Sequence, residues 1–232
     1  KSDFVDQMCI GYNANYGWKT AFASPENKPN FLHAHKLMRK VWGGMPVKAD
    51  VHTERWNEVA DHVNDNFYHI DMERYSLESV LAKGAELVKR KGIKCLVIDP
   101  FNKVRATTAN DNDINKYTME YLMQIEIFAK KHDVLVIIVA HPTKMYKNDK
   151  GIIEVPTMYN IKGGGEWYDA SYHGLVVHRN YLNKTVMVKV LKVKFQNLGE
   201  NGAECHFKWN PNSGGYIPHE QISLEGTKMP WE

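Results

Sequence analysis

Three apolar runs in this chain each stop at residues able to do chemistry. Trp18 to Ala23 runs into Ser24-Pro25-Glu26, Lys94 to Ile98 into Asp99, and Val134 to Val139 into Ala140-His141. A carboxylate such as Glu26 can orient a water molecule and take its proton as a general base. A second carboxylate such as Asp99 suits a hard divalent cation or the water bound to it. A histidine such as His141 can hydrogen-bond a phosphate and respond when that charge leaves. The chain opens on Lys1-Ser2, ahead of an amphipathic stretch carrying Phe4, Val5, Met8 and Cys9. An ammonium and a hydroxyl at a helix start form the closing pair of the G-x-x-x-x-G-K-[ST] loop, where lysine neutralises phosphates and the hydroxyl binds Mg2+. Jointly these residue types suit transfer of a phosphoryl group to water. Singly, each has an ordinary alternative: an arbitrary chain start for Lys1-Ser2, a turn residue for Glu26, a common strand-end acid for Asp99 and a structural imidazole for His141.

Such residues need a scaffold that delivers them to one place. Strands that are apolar throughout, separated by amphipathic helices, indicate an α/β fold with a mostly parallel sheet covered by helices on both faces. Ligands bind at the carboxyl edge of such a sheet, so Glu26, Asp99 and His141 are expected to share one crevice. Tyr117, Tyr121, Leu122, Ile125 and Phe128 make an apolar stripe at helical spacing and are read as core. Leu77 to Lys91 reads as a helix that turns Leu77, Val80, Leu81, Leu87 and Val88 inward and ends in Lys89-Arg90-Lys91 before Gly92. From Val176 the pattern changes to short β-rich runs joined by Asn and Gly turns: Val176 to Arg179, Val186 to Phe195, and Cys205 to Trp209. These are expected to be antiparallel strands at the C-terminal edge of the sheet. Asn102 to Asn115 and Lys144 to Glu166 read as long mobile loops, the second containing Gly163-Gly164-Gly165.

Composition narrows the class. The 232 residues fit a single domain over 1–232, and 43% hydrophobic with 25% charged residues is ordinary globular composition. No apolar run approaches the roughly 18 to 20 residues that cross a bilayer, which argues against a membrane partner. A net charge of +3 permits nucleic-acid binding without requiring it. The three cysteines, Cys9, Cys95 and Cys205, are far apart and form no Cys-x-x-Cys pair, so free thiols in a reducing compartment are expected. No signal-peptide pattern follows Lys1, which points to the cytoplasm. The chain is read as a segment starting within its phosphate loop, expected to grip nucleotide too weakly for hydrolysis by itself.

The motifs follow one another in a set order. They are Lys1-Ser2, Ser24-Pro25-Glu26, Leu96-Val97-Ile98-Asp99, Val139-Ala140-His141-Pro142, Gly163-Gly164-Gly165-Glu166-Trp167, Gly174-Leu175-Val176-Val177-His178-Arg179, and Lys192-Val193-Lys194-Phe195. On that series the chain resembles the DnaB-like hexameric replicative helicases, most closely their phage primase-helicase and mitochondrial members. The resemblance runs over essentially the whole chain. It implies a RecA-like P-loop NTPase core that hydrolyses ATP or another NTP with Mg2+, translocates 5′ to 3′ on single-stranded DNA and unwinds forked duplex DNA. By the same resemblance, Lys1 and Ser2 hold phosphate and Mg2+, Glu26 is the catalytic base, Asp99 is the metal-associated carboxylate, and His141 senses the γ-phosphate. A base-binding pair is also implied, Arg179 on one face and Trp209 of Phe207-Lys208-Trp209-Asn210 on the other, a cation–π arrangement that tolerates several bases. Trp209 as a plain core strand residue is the alternative. The partners implied are further copies in a homo-hexameric ring, DNA, a fused or separate primase, and a polymerase, within a nucleoid or viral replication complex.

Two departures stand out. Relatives carry an arginine finger in a Lys-x-Arg pair, whereas this chain reads Lys192-Val193-Lys194. Lysine supplies charge without the planar fork, so Lys192 and Lys194 are candidates while the identity of the finger stays open. Tyr172-His173 stands where relatives often have an acidic residue. DNA contacts are expected from Lys103 and Arg105 in the first loop and from Lys144, Lys147 and Lys150 in the second, spaced to follow phosphates; ordinary surface lysines are the alternative. Two other readings remain: a RecA-like recombinase or ATPase that assembles on DNA without unwinding it, and a non-catalytic nucleotide-binding ring scaffold.

Overall fold

A computed structural model describes residues 1–107, 113–145, 154–180 and 184–219. They divide into two compact units, Lys1–His141 with Pro211–Gly215, and Pro142–Asn210 with the residues from Tyr216 onward.

The first unit contains α1 (Ser2–Tyr16), β1 (Lys19–Ala23), α2 (Asn30–Trp42), α3 (Glu54–Asn66), β2 (Phe67–His69), α4 (Leu77–Lys91), β3 (Ile93–Ile98), α5 (Ile114–His132) and β4 (Leu135–Ile138). Its four strands are parallel, in the order β2-β1-β3-β4. The central strand β3 shows why an unbroken apolar run was needed. Cys95, Leu96, Val97 and Ile98 are each at most 1% exposed, although successive side chains point to opposite faces. Cys95 and Val97 cluster with Val5 and Cys9 of α1, Leu37 and Met38 of α2, and Val63 of α3. Leu96 faces the other side, against α4 and α5. There Gly84 leaves room for the neighbouring side chains: a methyl group on it would stand 3.1 Å from Phe128 Cζ and 3.3 Å from Leu96 Cδ2. Each fully buried aliphatic side chain of this kind contributes about 1.5–3 kcal/mol.

Helix α4 has the limits expected of it. Ser76 accepts a hydrogen bond from the Ser79 N–H at its start, and Gly92, at φ 69°, ends it. Its fully buried face is Leu77, Val80 and Gly84, while Leu81, Leu87 and Val88 are half-buried. The stripe on α5 is core as read, with Tyr117, Tyr121, Leu122, Ile125 and Phe128 all buried. The expectation of a mobile loop from Asn102 to Asn115 is corrected for its described part. Phe101–Lys103 is a 3-10 turn, Val104 and Ala106 are buried on either side of Arg105, and the Arg105 carbonyl accepts from the Leu77 N–H at 2.9 Å. Asp113 then caps α5 by accepting from the Asn115 and Lys116 N–H groups.

The second unit contains α6 (Gly164–Ala170), β5 (His173–Asn180), β6 (Thr185–Val193), β7 (Glu204–Asn210) and β8 (Gly215–Pro218). The antiparallel strands expected after Val176 are present, and they pair with one another as a four-stranded sheet in the order β5-β6-β7-β8. The described end of the second expected loop is also ordered: a 3-10 turn at Met158–Asn160 leads into α6. Gly163 adopts φ 79° at the helix start, and Gly164 packs so closely on the Tyr159 backbone that a side chain there would collide with it. Gly163 therefore serves the left-handed turn and Gly164 the close packing, while Gly165 borders open space. Among the described residues no helix is long and apolar enough to cross a membrane, and Cys9, Cys95 and Cys205 are free thiols.

Candidate active site

Ala23, Ile98 and Ile138 stand in register across β1, β3 and β4. The residues that follow therefore emerge side by side at the carboxyl edge of the parallel sheet. Hydrogen bonds extend the alignment beyond the strands. The Asp99 N–H donates to the Ala23 carbonyl at 3.1 Å, the Val139 N–H to Ile98 at 2.9 Å, and the Phe101 N–H to Val139 at 2.9 Å. Buried Ser24 donates its hydroxyl to the Asp99 carbonyl at 3.1 Å and accepts from the Asn27 side-chain amide at 2.8 Å. Asp99 is thus held on a rigid shelf, and exposed Glu26 sits on the turn beside it.

Helix α1 starts at the same edge. The Lys1 ammonium donates to the Ala140 carbonyl at 3.1 Å, next to exposed His141. The Ser2 hydroxyl lies close enough to the Asp99 carboxylate to favour its charged form. Asp99 is only 5% exposed. Burial raises its pKa above the ordinary value, the Ser2 hydroxyl opposes this, and the Asp6 and Glu26 carboxylates push the same way as burial. Burial of the Lys1 ammonium lowers its pKa, opposed by attraction to Asp99 and Glu26. Lys1, Ser2, Glu26 and Asp99 therefore share one electrostatic neighbourhood. A cation, a hydroxyl, a buried carboxylate and an exposed one can together bind phosphate, hold a divalent cation and accept a proton. The Ser2 hydroxyl and Asp99 carboxylate are hard oxygen donors of the kind Mg2+ takes, and a cation that shares its ligation with phosphates needs few protein ligands. Among the described residues there is no group of three or more His, Cys, Asp or Glu that could hold a metal ion.

Beneath this edge lies a network that the sequence reading missed. Asp6, 2% exposed, stands one helical turn beyond Ser2 on α1 and takes a 3.0 Å contact to Nε2 of His33, 1% exposed, on α2. A carboxylate only accepts, so His33 Nε2 carries the hydrogen. His33 Nδ1 lies 2.8 Å from Nε2 of His69 at the end of β2. The Phe22 ring meets both imidazoles, edge-on to His33 at 4.8 Å and stacked on His69 at 6.0 Å between centroids. Burial and the neighbouring His33 bring the pKa of His69 down to about 4. The only sequence signal was a polar Asp6 on the face of α1 that also carries Ser2.

The second unit carries Arg179, Lys192, Lys194 and Trp209, the remaining residues expected at the nucleotide. Arg179 is paired with Val186, and Val186 with Phe207. Directly opposed residues share a face, so Phe207 stands in line with Arg179, and Trp209 lies two residues further along the same face. The Trp209 ring packs edge-on against buried Tyr216, centroids 5.1 Å apart, whereas Phe207 is 6.4 Å from that ring. Lys192 donates to the carbonyls of Tyr168 and Asp169, at 3.2 Å to the latter, and lies over the Tyr168 ring. Its ammonium thereby satisfies the C-terminal end of α6, where cations are favoured. Exposed Lys194 lies 4.0 Å from the Tyr172 ring centroid, and its N–H donates to the Tyr172 carbonyl at 2.8 Å. Tyr172 at the position of the relatives' acidic residue thus has a physical role as an aromatic seat for Lys194. Of the proposed DNA contacts, Lys103, Arg105 and Lys144 are exposed, and Lys147 and Lys150 lie outside the described residues.

No family model matches the chain. Among curated proteins it is similar to the Twinkle homolog protein, chloroplastic/mitochondrial, of Arabidopsis thaliana, with 31% identity over 93% of this chain. The chain spans about a third, 32%, of that protein's length. Among solved structures, an ATPase domain superposes with a TM-score of 0.73 at 14% identity, covering 93% of this chain and 79% of that one. A DnaB-like replicative helicase, solved in a study of its interactions with primase, gives 0.67 at 12% identity over 88% of this chain and 51% of its own. The RadB recombinase gives 0.59 at 12% identity over 94% and 86%. The fold is RecA-like, and the resemblance to the DnaB-like helicases read from the motifs is borne out.

Proposed function

We propose that this chain is the ATP-hydrolysing motor segment of a replicative DNA helicase of the DnaB-like kind, folded as one RecA-like domain over 1–232. The observation that carries the proposal is the meeting of the start of α1 with the carboxyl edge of the parallel sheet, where the Lys1 ammonium donates to the Ala140 carbonyl and Lys1, Ser2 and Glu26 all act on the buried Asp99 carboxylate or its neighbourhood. Its ordered motifs and its similarity to the Twinkle homolog support the same reading.

In this reading the Lys1 ammonium neutralises the β- and γ-phosphates, while Ser2 and Asp99 hold Mg2+. The cation, when bound, polarises the phosphoryl oxygens and neutralises developing charge. Glu26, exposed beside the cation site, orients a water molecule toward the γ-phosphate and accepts its proton. His141 reports loss of that phosphate to the segment that follows it. Arg179 covers one face of the base, with Phe207 or Trp209 completing the seat. Lys194 is favoured over Lys192 as the cation reaching a neighbouring subunit, because the Lys192 ammonium is occupied by α6 carbonyls. Lys103, Arg105, Lys144, Lys147 and Lys150 follow the phosphates of one DNA strand. Assembly as a hexameric ring, 5′ to 3′ movement, unwinding of forked duplex, and work alongside a primase and a polymerase are carried by the family resemblance.

Glu26→Gln in the full-length protein tests the assignment. Hydrolysis is expected to fall by about 10²-fold or more, as when a positioned general base is lost, with nucleotide binding retained. Hydrolysis at the unmodified rate would sink the assignment. The likeness to RadB rests on the shared fold, and a forked-duplex unwinding assay separates a helicase from a recombinase.

A further inference from the structure

The geometry points to a clamp, buried Asp6 and His33 with half-buried His69 and exposed Asp71, that positions the Glu26 turn against the start of α1; this rests on Glu26 being the base proposed above. The Glu26 turn has two flanks, the end of β1 and the start of α2, and the clamp grips both. On the α2 side, His33 sits one turn into the helix and is bonded to Asp6, which is one turn from Ser2 on α1. On the β1 side, Phe22 pairs in register with His69, and the Ile70 N–H donates to the Phe22 carbonyl at 2.9 Å. His33 joins the two sides through its second ring nitrogen.

Asp71, two residues beyond His69, fastens the turn itself. Its carboxylate pairs with Lys28 at 2.5 Å and accepts from the Asn30 side-chain amide at 3.1 Å, while Lys28 also donates to the Met72 carbonyl at 3.1 Å. The residues after Glu26 are therefore tied to the end of β2 at two points. Charged groups around the relay include Asp3 and Lys36, which pair at 3.1 Å, Lys40, 3.8 Å from Asp3, and Asp99, whose carboxyl feels the Asp6 charge. Lys36 lies 3.6 Å from the outer Asp6 oxygen, leaving His33 as the hydrogen-bond donor to that carboxylate.

None of the four clamp residues is placed on substrate. Their effect is geometric: they hold the distance between Glu26 and the Ser2–Asp99 pair, so loosening them slows the chemical step and leaves nucleotide affinity in place. Misplacing a catalytic group by an ångström costs about 10²-fold in rate.

The test uses the full-length protein, with His33→Gln, Asp71→Asn, His69→Gln and His69→Leu measured beside Glu26→Gln. Turnover is expressed per nucleotide-binding site, so that unfolded protein is not counted. His33→Gln is expected to lower kcat by about 10- to 100-fold, with KM and nucleotide affinity within about twofold of the unmodified protein. His69→Gln, which keeps a hydrogen-bonding group, is expected to retain more activity than His69→Leu. If His33→Gln does not fold, Asp71→Asn decides, since the Asp71 side chain is 57% exposed and its loss leaves the core untouched; a several-fold fall in kcat at constant KM is expected. Unchanged kcat in Asp71→Asn and in a folded His33→Gln overturns the clamp while leaving the site assignment intact. Parallel loss of kcat, affinity and melting temperature overturns it as a merely structural network. An active Glu26→Gln overturns the assignment and the clamp with it.

Discussion

Ser2, the first residue of α1, acts on the carboxylate of Asp99 at the end of β3, lowering its pKa against the effect of burial. Two elements distant in sequence thereby supply the two oxygen donors proposed for Mg2+. Replacing Ser2 by Ala removes one of them and leaves the buried Asp99 carboxylate without the neighbouring hydroxyl that favours its charged form. Hydrolysis in Ser2→Ala is expected to require higher Mg2+ and to run about 10²-fold slower at a fixed low concentration, the scale seen when one preorganised electrostatic contact is lost. Phosphate release measured across an Mg2+ series checks this, and an unshifted Mg2+ requirement would contradict it.

The seat proposed for the nucleobase allows a comparison of two aromatics. Phe207 is in line with Arg179, whereas Trp209 is committed to Tyr216. Phe207→Ala is therefore expected to raise the KM for ATP by roughly tenfold or more, in keeping with about 1–3 kcal/mol for stacking a base on an aromatic ring. Trp209→Ala is expected to act mainly on stability, lowering the melting temperature with a smaller effect on KM. Steady-state kinetics and thermal melts of the two variants, made side by side, distinguish the roles.

His69 gives a pH dependence with a defined sign. Burial and the adjacent His33 lower its pKa in the fold from 6.5 to about 4, so the unfolded chain binds this proton more readily than the native one. The contribution to stability is complete above about pH 6.5 and is lost as the pH falls through 4. Denaturant midpoints compared at pH 7.5 and pH 5 should show lower stability at the acid value, and His69→Gln should reduce that difference. Equal slopes in the two proteins would assign the acid sensitivity to another group.

Much of the scaffold was legible because it is written in short-range patterns. The run Cys95 to Ile98 had to be a strand covered on both faces, the Tyr117 to Phe128 stripe had to face a core, and Ser76 and Gly92 bound α4 by their own backbone preferences. Strand-end positions for Glu26, Asp99 and His141 followed from the same reading. Tertiary structure decided what those patterns leave free. Which aromatic stands beside Arg179 depends on the register of β5, β6 and β7, and a shift along the strands would change the answer. Which lysine is already occupied depends on where α6 ends and on the Tyr172 ring. The buried Asp6–His33–His69 relay was invisible because polar residues on an amphipathic helix read as solvent-facing until the fold removes the water and makes each one find a partner. Sequence alone determined which groups reach the carboxyl edge of the sheet; long-range contacts, through register and desolvation, decided which of them meet.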